Sequence, residues 1–154
     1  TRGIIPIDGL QISRSLQKHL KRFSIRVDSC FAQVMKACGD SRRPHGWINV
    51  DFIRAYSHLH AMGWAHSVEV FSGDDLVGGV YGVRVGKLFA GESMFHTQTD
   101  ASKAALVALV ALLDATGIAL FDVQWTTPHL ESMGAIDIPR SDYLALLAQA
   151  QNRD

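Results

Sequence analysis

An unbroken run of ten apolar residues, 104–113, constrains the fold of this chain more than any other feature. The run is half the length of about 20 residues that a membrane-spanning helix needs, and it stops at Asp114. Asp100 is a suitable N-cap, and Gly117 a suitable end, for a helix over residues 101–116. Because this helix is apolar on nearly every side, it must be buried among other elements.

The segments around this helix have the pattern of strands. Residues 118–124 form a continuous stretch typical of a buried strand. Upstream, the sequence predicts strands at 65–71, 76–83 and 87–90, with a hairpin turn at 72–75. A meander followed by a helix that crosses to another strand gives a mixed α/β (α+β) sheet, largely antiparallel and flanked by helices. This order resembles the acyl-CoA N-acetyltransferase (GNAT) fold.

Further helices are predicted from apolar residues at helical spacing and from capping residues. These elements are a basic amphipathic helix from Ser13 onward, a strand at 24–28, a helix that ends at Gly39, a helix that is capped by Asn49 and stops at Gly63, and helices at 128–133 and 141–149.

The composition describes one globular domain over residues 1–154. At this length, with 47% apolar residues, the chain buries a core without disulfide bonds or metal. Cys30 and Cys38 are too few for a secreted disulfide scaffold, and no signal-peptide pattern is present. We therefore expect a cytoplasmic protein that makes no membrane contact.

The net charge of zero hides a division along the chain. Residues 1–50 carry nine Lys and Arg against three Asp, which gives +6, and residues 51–154 are correspondingly −6. A polyanion and a basic partner could therefore bind different faces, although solvated surfaces without partners explain the pattern equally well.

The seven histidines do not form a recognisable metal motif. His58 and His60 are two residues apart on a predicted helix, which places them on different sides. The two cysteines have no second pair, whereas a structural zinc needs about four convergent ligands. We expect no metal and no cofactor.

Three polar residues lie where the strands end. Glu92 follows the third predicted strand near the centre of the sheet, where a lone carboxylate calls for a cationic partner. Asp122 and Gln124 alternate with Val123 in an otherwise apolar strand, so they are expected on one face. Ligands of α/β sheets commonly bind at such strand ends, while each residue alone is also compatible with a structural role.

The same segments carry a resemblance to a known family. The chain resembles the leucyl/phenylalanyl-tRNA–protein transferases along nearly its whole length, through motifs that occur in the same order. They are Ile12-Ser13-Arg14-Ser15-Leu16, Gly46-Trp47-Ile48, His66-Ser67-Val68-Glu69, Leu76-Val77-Gly78-Gly79-Val80-Tyr81-Gly82, Leu88-Phe89-Ala90-Gly91-Glu92-Ser93-Met94-Phe95, Ala101-Ser102-Lys103, Asp122-Val123-Gln124 and Gly134-Ala135-Ile136-Asp137-Ile138-Pro139-Arg140.

The resemblance implies transfer of Leu or Phe from charged tRNA to the N-terminal Arg or Lys of a protein, which creates an N-degron. It implies catalytic roles for Gln124 at the reacting centre, for Asp122 as its polarising partner, and for Glu92 as a binder of cationic groups. The substrate-binding residues that it implies are Trp47, Val80, Phe89, Gly91, Leu106, Leu109, Leu113 and Phe121. Each apolar residue of this set also suits an ordinary core, except Trp47, which suits stacking on the terminal adenosine.

The implied partners are the 3′ aminoacyl-adenosine and acceptor stem of tRNA, and the acceptor protein. The basic residues expected to bind tRNA are Arg14, Lys18, Lys21, Arg22, Arg42 and Arg43. Members of the family usually carry a further N-terminal segment, so we expect this chain to correspond to their C-terminal catalytic part.

Other functions remain open on the sequence. A CoA-dependent N-acetyltransferase would share the fold, but residues 91–103 lack an Arg/Gln-rich glycine loop for pyrophosphate. A related transferase could act on a cell-wall precursor or on acidic N-termini. A non-catalytic module would bind N-terminal Arg or Lys without extending it.

Overall fold

A computed structural model describes residues 1–39 and 49–151 of the chain. Its strands are β1 (Arg2–Ile4), β2 (Ser24–Val27), β3 (Ala65–Ser72), β4 (Asp75–Val85), β5 (Leu88–His96), β6 (Leu120–Gln124) and β7 (Ile136–Ile138). Its helices are α1 (Arg14–Leu20), α2 (Phe31–Cys38), α3 (Val50–Ala61), α4 (Ala101–Ala115), α5 (Pro128–Ser132) and α6 (Arg140–Gln151).

The strands form one mixed sheet in the order β2-β3-β4-β5-β6-β1-β7. Neighbouring strands are antiparallel except β5 and β6, which are parallel and joined through α4. The predicted meander and helical crossover are therefore confirmed. The crossover places β5 in the middle of the sheet, with the end of β6 beside it.

Helix α4 packs its apolar residues against the sheet, as the ten-residue run predicts. Leu106, Leu109 and Leu113 are among its buried residues, whereas Ala111 is exposed. Asp100 occupies the N-cap position as predicted, but its side chain does not cap the helix. Asp100 has a left-handed φ of 68° and makes no side-chain cap, because its carboxylate lies 2.6 Å from Nδ1 of His19 instead.

The two faces of the sheet bury different kinds of side chain. On one face Val68 and Val80 contribute to the apolar core that contains α4. Their neighbours Ser67, Glu69 and Tyr81 alternate to the other face, which α2 and α3 cover. This second face therefore combines aromatic packing with buried polar groups.

Three strand predictions need correction. β5 continues to His96, although the sequence predicts its end at residue 90, because the polar residues that follow Gly91 resemble a loop. β1 and β7 were not predicted at all. With three residues each, they are too short to show an alternating pattern.

No helix within residues 1–39 and 49–151 is both long enough and apolar enough to cross a membrane.

Candidate active site

Glu92 lies at a β-bulge in the centre of the sheet. Tyr81 pairs with Ser93 and Gly82 pairs with Gly91, so Glu92 has no partner residue on β4. Gly82 permits this irregular pairing, because a Cβ there would collide with the carbonyl oxygen of Ala90. A bulge bends the strand and redirects the extra side chain. The backbone thus directs Glu92 away from the regular alternation of β5.

The half-buried carboxylate of Glu92 accepts a hydrogen bond from the hydroxyl of Tyr56 on α3. Burial raises the pKa of Glu92 and outweighs the opposing effect of this hydrogen bond; the charge of Asp122 raises the pKa further, and that of Arg2 lowers it. The partner of Glu92 is therefore a neutral tyrosine hydroxyl rather than the expected cation, and Arg2 affects Glu92 only through its charge. Sequence reasoning missed Tyr56, because its helical spacing marks it merely as a core residue.

Asp122, in contrast, is 2% exposed and surrounded by donors. Nε and Nη2 of Arg2 lie 3.0 Å from Oδ1 and 2.8 Å from Oδ2, respectively. The hydroxyl of Tyr143 donates to Oδ2 at 2.6 Å, and the backbone N–H of Gln124 donates to Oδ1 at 2.7 Å. These donors satisfy both oxygens of the buried carboxylate.

The partners of Asp122 come from distant parts of the chain. Arg2 lies on β1, between β6 and β7, and Tyr143 lies on α6. The Arg2 guanidinium also lies 5.3 Å from the centroid of the Tyr143 ring. Burial, followed by the contact with Asp122, raises the pKa of Tyr143 to about 12, so its hydroxyl keeps its proton at neutral pH. Neither residue was predicted as part of the site from the sequence.

Gln124 ends β6 in a left-handed conformation, with φ of 71°. The N–H of Trp125 donates to the carbonyl oxygen of Val123 at 2.9 Å, which closes a γ-turn around Gln124. The turn interrupts the alternation on which the expected shared face of Asp122 and Gln124 rests. Their contact runs through the Gln124 backbone, and its side-chain amide has no hydrogen-bond partner among the residues that the structure describes.

Most of the substrate-binding residues expected from the resemblance lie together in the core under α4. Each is at most 4% exposed, and Phe89 and Phe121 meet edge to face at 6.0 Å. Gly91 packs on the same ring, since a Cβ there would lie 3.1 Å from Cε1 of Phe121. The members of this core are Val80, Phe89, Leu106, Leu109, Leu113 and Phe121. Trp47 falls outside the described residues.

The basic residues expected on the first helix are exposed. Arg14 and Lys18 lie on α1, and Lys21 and Arg22 follow at its end, while Leu16 of the same helix is buried. The helix therefore presents cations to solvent and an apolar side to the core. Arg42 and Arg43 fall outside the described residues.

No three His, Cys, Asp or Glu side chains of residues 1–39 and 49–151 lie close enough together to hold a metal ion.

Comparison with known proteins identifies the family. A family model for leucyl/phenylalanyl-tRNA protein transferase matches residues 4–148. A transferase of that name from Cereibacter sphaeroides is 53% identical over 151 residues, which cover 97% of this chain and 70% of the relative. The chain belongs to the leucyl/phenylalanyl-tRNA–protein transferase family. It is an aminoacyltransferase, whose substrates are an aminoacyl-tRNA and an acceptor protein.

Solved structures support the fold of this family member. FemX superimposes with a TM-score of 0.59 at 11% identity, over 97% of this chain and 57% of that chain. An aminoglycoside acetyltransferase from a soil metagenome gives a TM-score of 0.52 at 9% identity, over 86% and 88% of the two chains. The expected GNAT-like fold is confirmed.

Proposed function

We propose that this protein transfers Leu or Phe from charged tRNA to the N-terminal Arg or Lys of an acceptor protein, which thereby receives an N-degron. The contrast between two neighbouring carboxylates carries this proposal. Arg2 neutralises the charge of Asp122, whereas Glu92 has only a hydroxyl partner and remains able to bind a cation. A site with one unneutralised carboxylate suits an acceptor that brings a positive charge.

The reaction is aminolysis of an ester. The neutral α-amine of the acceptor attacks the carbonyl carbon of the aminoacyl ester, so a C–N bond forms and the C–O bond to the ribose breaks. At pH 7 an α-amine with a pKa of about 7.7 to 8.0 is neutral in roughly a tenth to a sixth of the molecules. A strong general base is unnecessary, because holding amine and ester together contributes up to about 7 to 11 kcal/mol.

Each polar residue has a distinct role in this mechanism. The Gln124 amide orients the attacking amine, while Asp122 holds Gln124 and supplies a negative charge beside the reacting centre. Glu92 binds the cationic group of the acceptor. The amide is too weak a base to remove a proton alone. The proton therefore passes, directly or through water, to the released ribose oxygen, which leaves as a hydroxyl.

The transferred side chain is recognised by the apolar core beneath the sheet. Tyr56 meets Glu92 from α3 on the other face of the sheet, whereas Phe89 and Phe121 lie against Gly91, one residue before Glu92, as part of an apolar site on the α4 face. Such a site favours Leu and Phe over polar amino acids, because burial of their side chains contributes about 1.5–3 kcal/mol.

The tRNA phosphates are bound by the exposed cations of α1. The hydrogen bond of His19 with Asp100 fixes this helix beside the start of α4. We assign the reaction to the cytoplasm, because Cys30 and Cys38 are free thiols, as a reducing compartment requires.

The test is to incubate the protein with radiolabelled Leu-tRNA and with peptides that begin with Arg, Lys, Asp or Glu. We expect label in the Arg and Lys peptides and none in the acidic pair. Label in the acidic pair alone would contradict the proposal, and so would the absence of label from every peptide when circular dichroism shows a folded protein. Acetyl-CoA serves as the control donor; acetylation of any peptide would indicate the acetyltransferase alternative.

A further inference from the structure

Each carboxylate oxygen of Asp122 already accepts two hydrogen bonds. Oδ1 accepts from Nε of Arg2 and from the Gln124 N–H, while Oδ2 accepts from Nη2 of Arg2 and from the Tyr143 hydroxyl. A buried carboxylate with this many donors is held in one orientation. Its role is therefore to hold other groups in place.

The group that most needs to be held is Gln124. A left-handed conformation costs free energy for any residue other than glycine, and a γ-turn around such a residue is strained. It persists only where the surroundings enforce it. The Asp122 carboxylate supplies one constraint, through the Gln124 N–H. β1 supplies another, because Gly3 pairs with Gln124 so closely that a Cβ would lie 2.6 Å from the Trp125 carbonyl carbon.

We propose that Tyr143 and Arg2 are positioning residues for the transfer reaction, which act through Asp122 to hold Gln124 in the turn that presents its amide to the reacting groups. The inference rests on the proposed function for its effect on catalysis. Its structural part, the dependence of the Gln124 turn on Tyr143, is independent of which substrates are used.

Helix α6 is built to bring Tyr143 to this position. Its Ala150 is buried with Ile4, Leu88 and Leu120, and Leu147 packs on the same cluster one turn after Tyr143. The hydroxyl is therefore carried by a helix that is anchored to the sheet. Only 15 residues separate β6 from α6, so the chain returns to its own catalytic strand to fix it.

The test compares Tyr143→Phe, which removes only the hydroxyl, with Leu147→Ala on the same side of α6. Leu147→Ala weakens the packing of the helix but touches no polar group of the site. For both variants and the wild type, two quantities are measured below the Tm: the NMR resonance of the Gln124 backbone amide, and kcat and KM for transfer of Leu from Leu-tRNA to an Arg peptide.

We expect Tyr143→Phe to shift the Gln124 amide resonance and to lower kcat about tenfold, as for loss of one hydrogen bond to a charged group. KM for both substrates should stay within about twofold. Leu147→Ala should lower the Tm but leave the amide resonance and kcat at wild-type values. An unchanged amide resonance or an unchanged kcat in Tyr143→Phe overturns the proposal, because a purely structural tyrosine would affect the Tm alone.

If Tyr143→Phe fails to fold, Arg2→Lys tests the same proposal. Lysine keeps the charge but cannot donate two parallel hydrogen bonds, so the same amide shift and loss of kcat are expected. Wild-type protein that transfers no Leu would overturn the proposed function. In that case the Gln124 resonance still decides whether Tyr143 positions the turn.

Discussion

Asp122 and Glu92 lie on adjacent strands and differ in almost every physical respect. Asp122 sits on β6 beside an irregularity in the pairing with β1, and is bonded by a guanidinium, a phenol and a backbone amide. Glu92 sits at a bulge in β5, half-buried, with one hydroxyl partner from Tyr56. The first carboxylate is fully compensated by the protein, and the second is not.

The difference shows how one sheet divides two tasks between two acids. A compensated charge fixes geometry, because every donor around it resists displacement. An undercompensated charge lowers the stability of the protein while no cation is bound, and it gains favourable interactions when a cation binds. The shape of the site is thus assigned to β6 and the recognition of charge to β5.

The largest effect is expected from Asp122→Asn, which breaks the compensated half of the pair. Arg2 would lose its counter-charge, and the buried amide could not accept from all four donor groups. Breaking such a pair costs about 3 kcal/mol, which lowers the Tm of a domain of this size by roughly 6–12 °C. Calorimetry measures the Tm, with the exposed Asp75→Asn as the matched control, expected within about 2 °C of wild type. Equal Tm values for the two variants would show that Asp122 is not a structural anchor.

Glu92→Gln should act in the opposite direction on stability. Because burial raises the pKa of Glu92, the folded state favours its protonated form. The contribution of Glu92 to the free energy of unfolding therefore falls as the pH rises from the ordinary Glu pKa through the raised pKa. At pH 7 the neutral variant should unfold about 1–3 °C higher than wild type. The gain should shrink as the pH falls below the raised pKa. Thermal melts between pH 4 and 8 measure this, and a lower Tm at pH 7 would mean that Glu92 is compensated after all.

Much of this contrast lies beyond what the sequence reveals. Helix α4, the β3–β4 hairpin and the position of Glu92 at the centre of the sheet follow from apolar patterns and turn residues that act locally. The bulge at Glu92 does not, because it arises from pairing with Gly82 on another strand. For the same reason residues after Gly91 resemble a loop, although they continue β5.

The partners of the two acids were still harder to predict. Arg2 and Asp122 are 120 positions apart, and Arg2 lies on a three-residue strand with no periodic signal. The need of Glu92 for a partner was predicted, but the available cation is taken by Asp122. Residue types indicate which groups need partners, whereas the topology decides which partners they obtain.

A smaller effect is expected from variants of Gln124, which separate geometry from chemistry. Gln124→Gly removes the left-handed strain of about 1–2 kcal/mol but adds chain entropy of about 0.5–1 kcal/mol to the unfolded state. Its Tm should therefore equal or slightly exceed that of wild type, while transfer activity falls. Val123→Gly, next to it in the strand, should lower the Tm by several degrees. A large drop for Gln124→Gly would contradict a strained turn.

The smallest effect is expected from the cations outside this pair. Lys18→Ala on α1 should weaken tRNA binding by a few fold and reduce the slope of log affinity against log salt by about 1. Neither kcat nor the KM for the acceptor peptide should change, because Lys18 is exposed on α1 and is not among the partners of either carboxylate. Filter binding at several salt concentrations measures the slope. An unchanged slope would remove α1 from the tRNA-binding surface.

The division of tasks between the two acids is tested most directly by steady-state kinetics of Glu92→Gln with saturating Leu-tRNA and varied Arg peptide. The account predicts that the KM for the peptide rises about tenfold or more while the KM for Leu-tRNA stays at the wild-type value. A wild-type KM for the peptide would contradict it, since the unneutralised carboxylate would then not be the group that binds the acceptor.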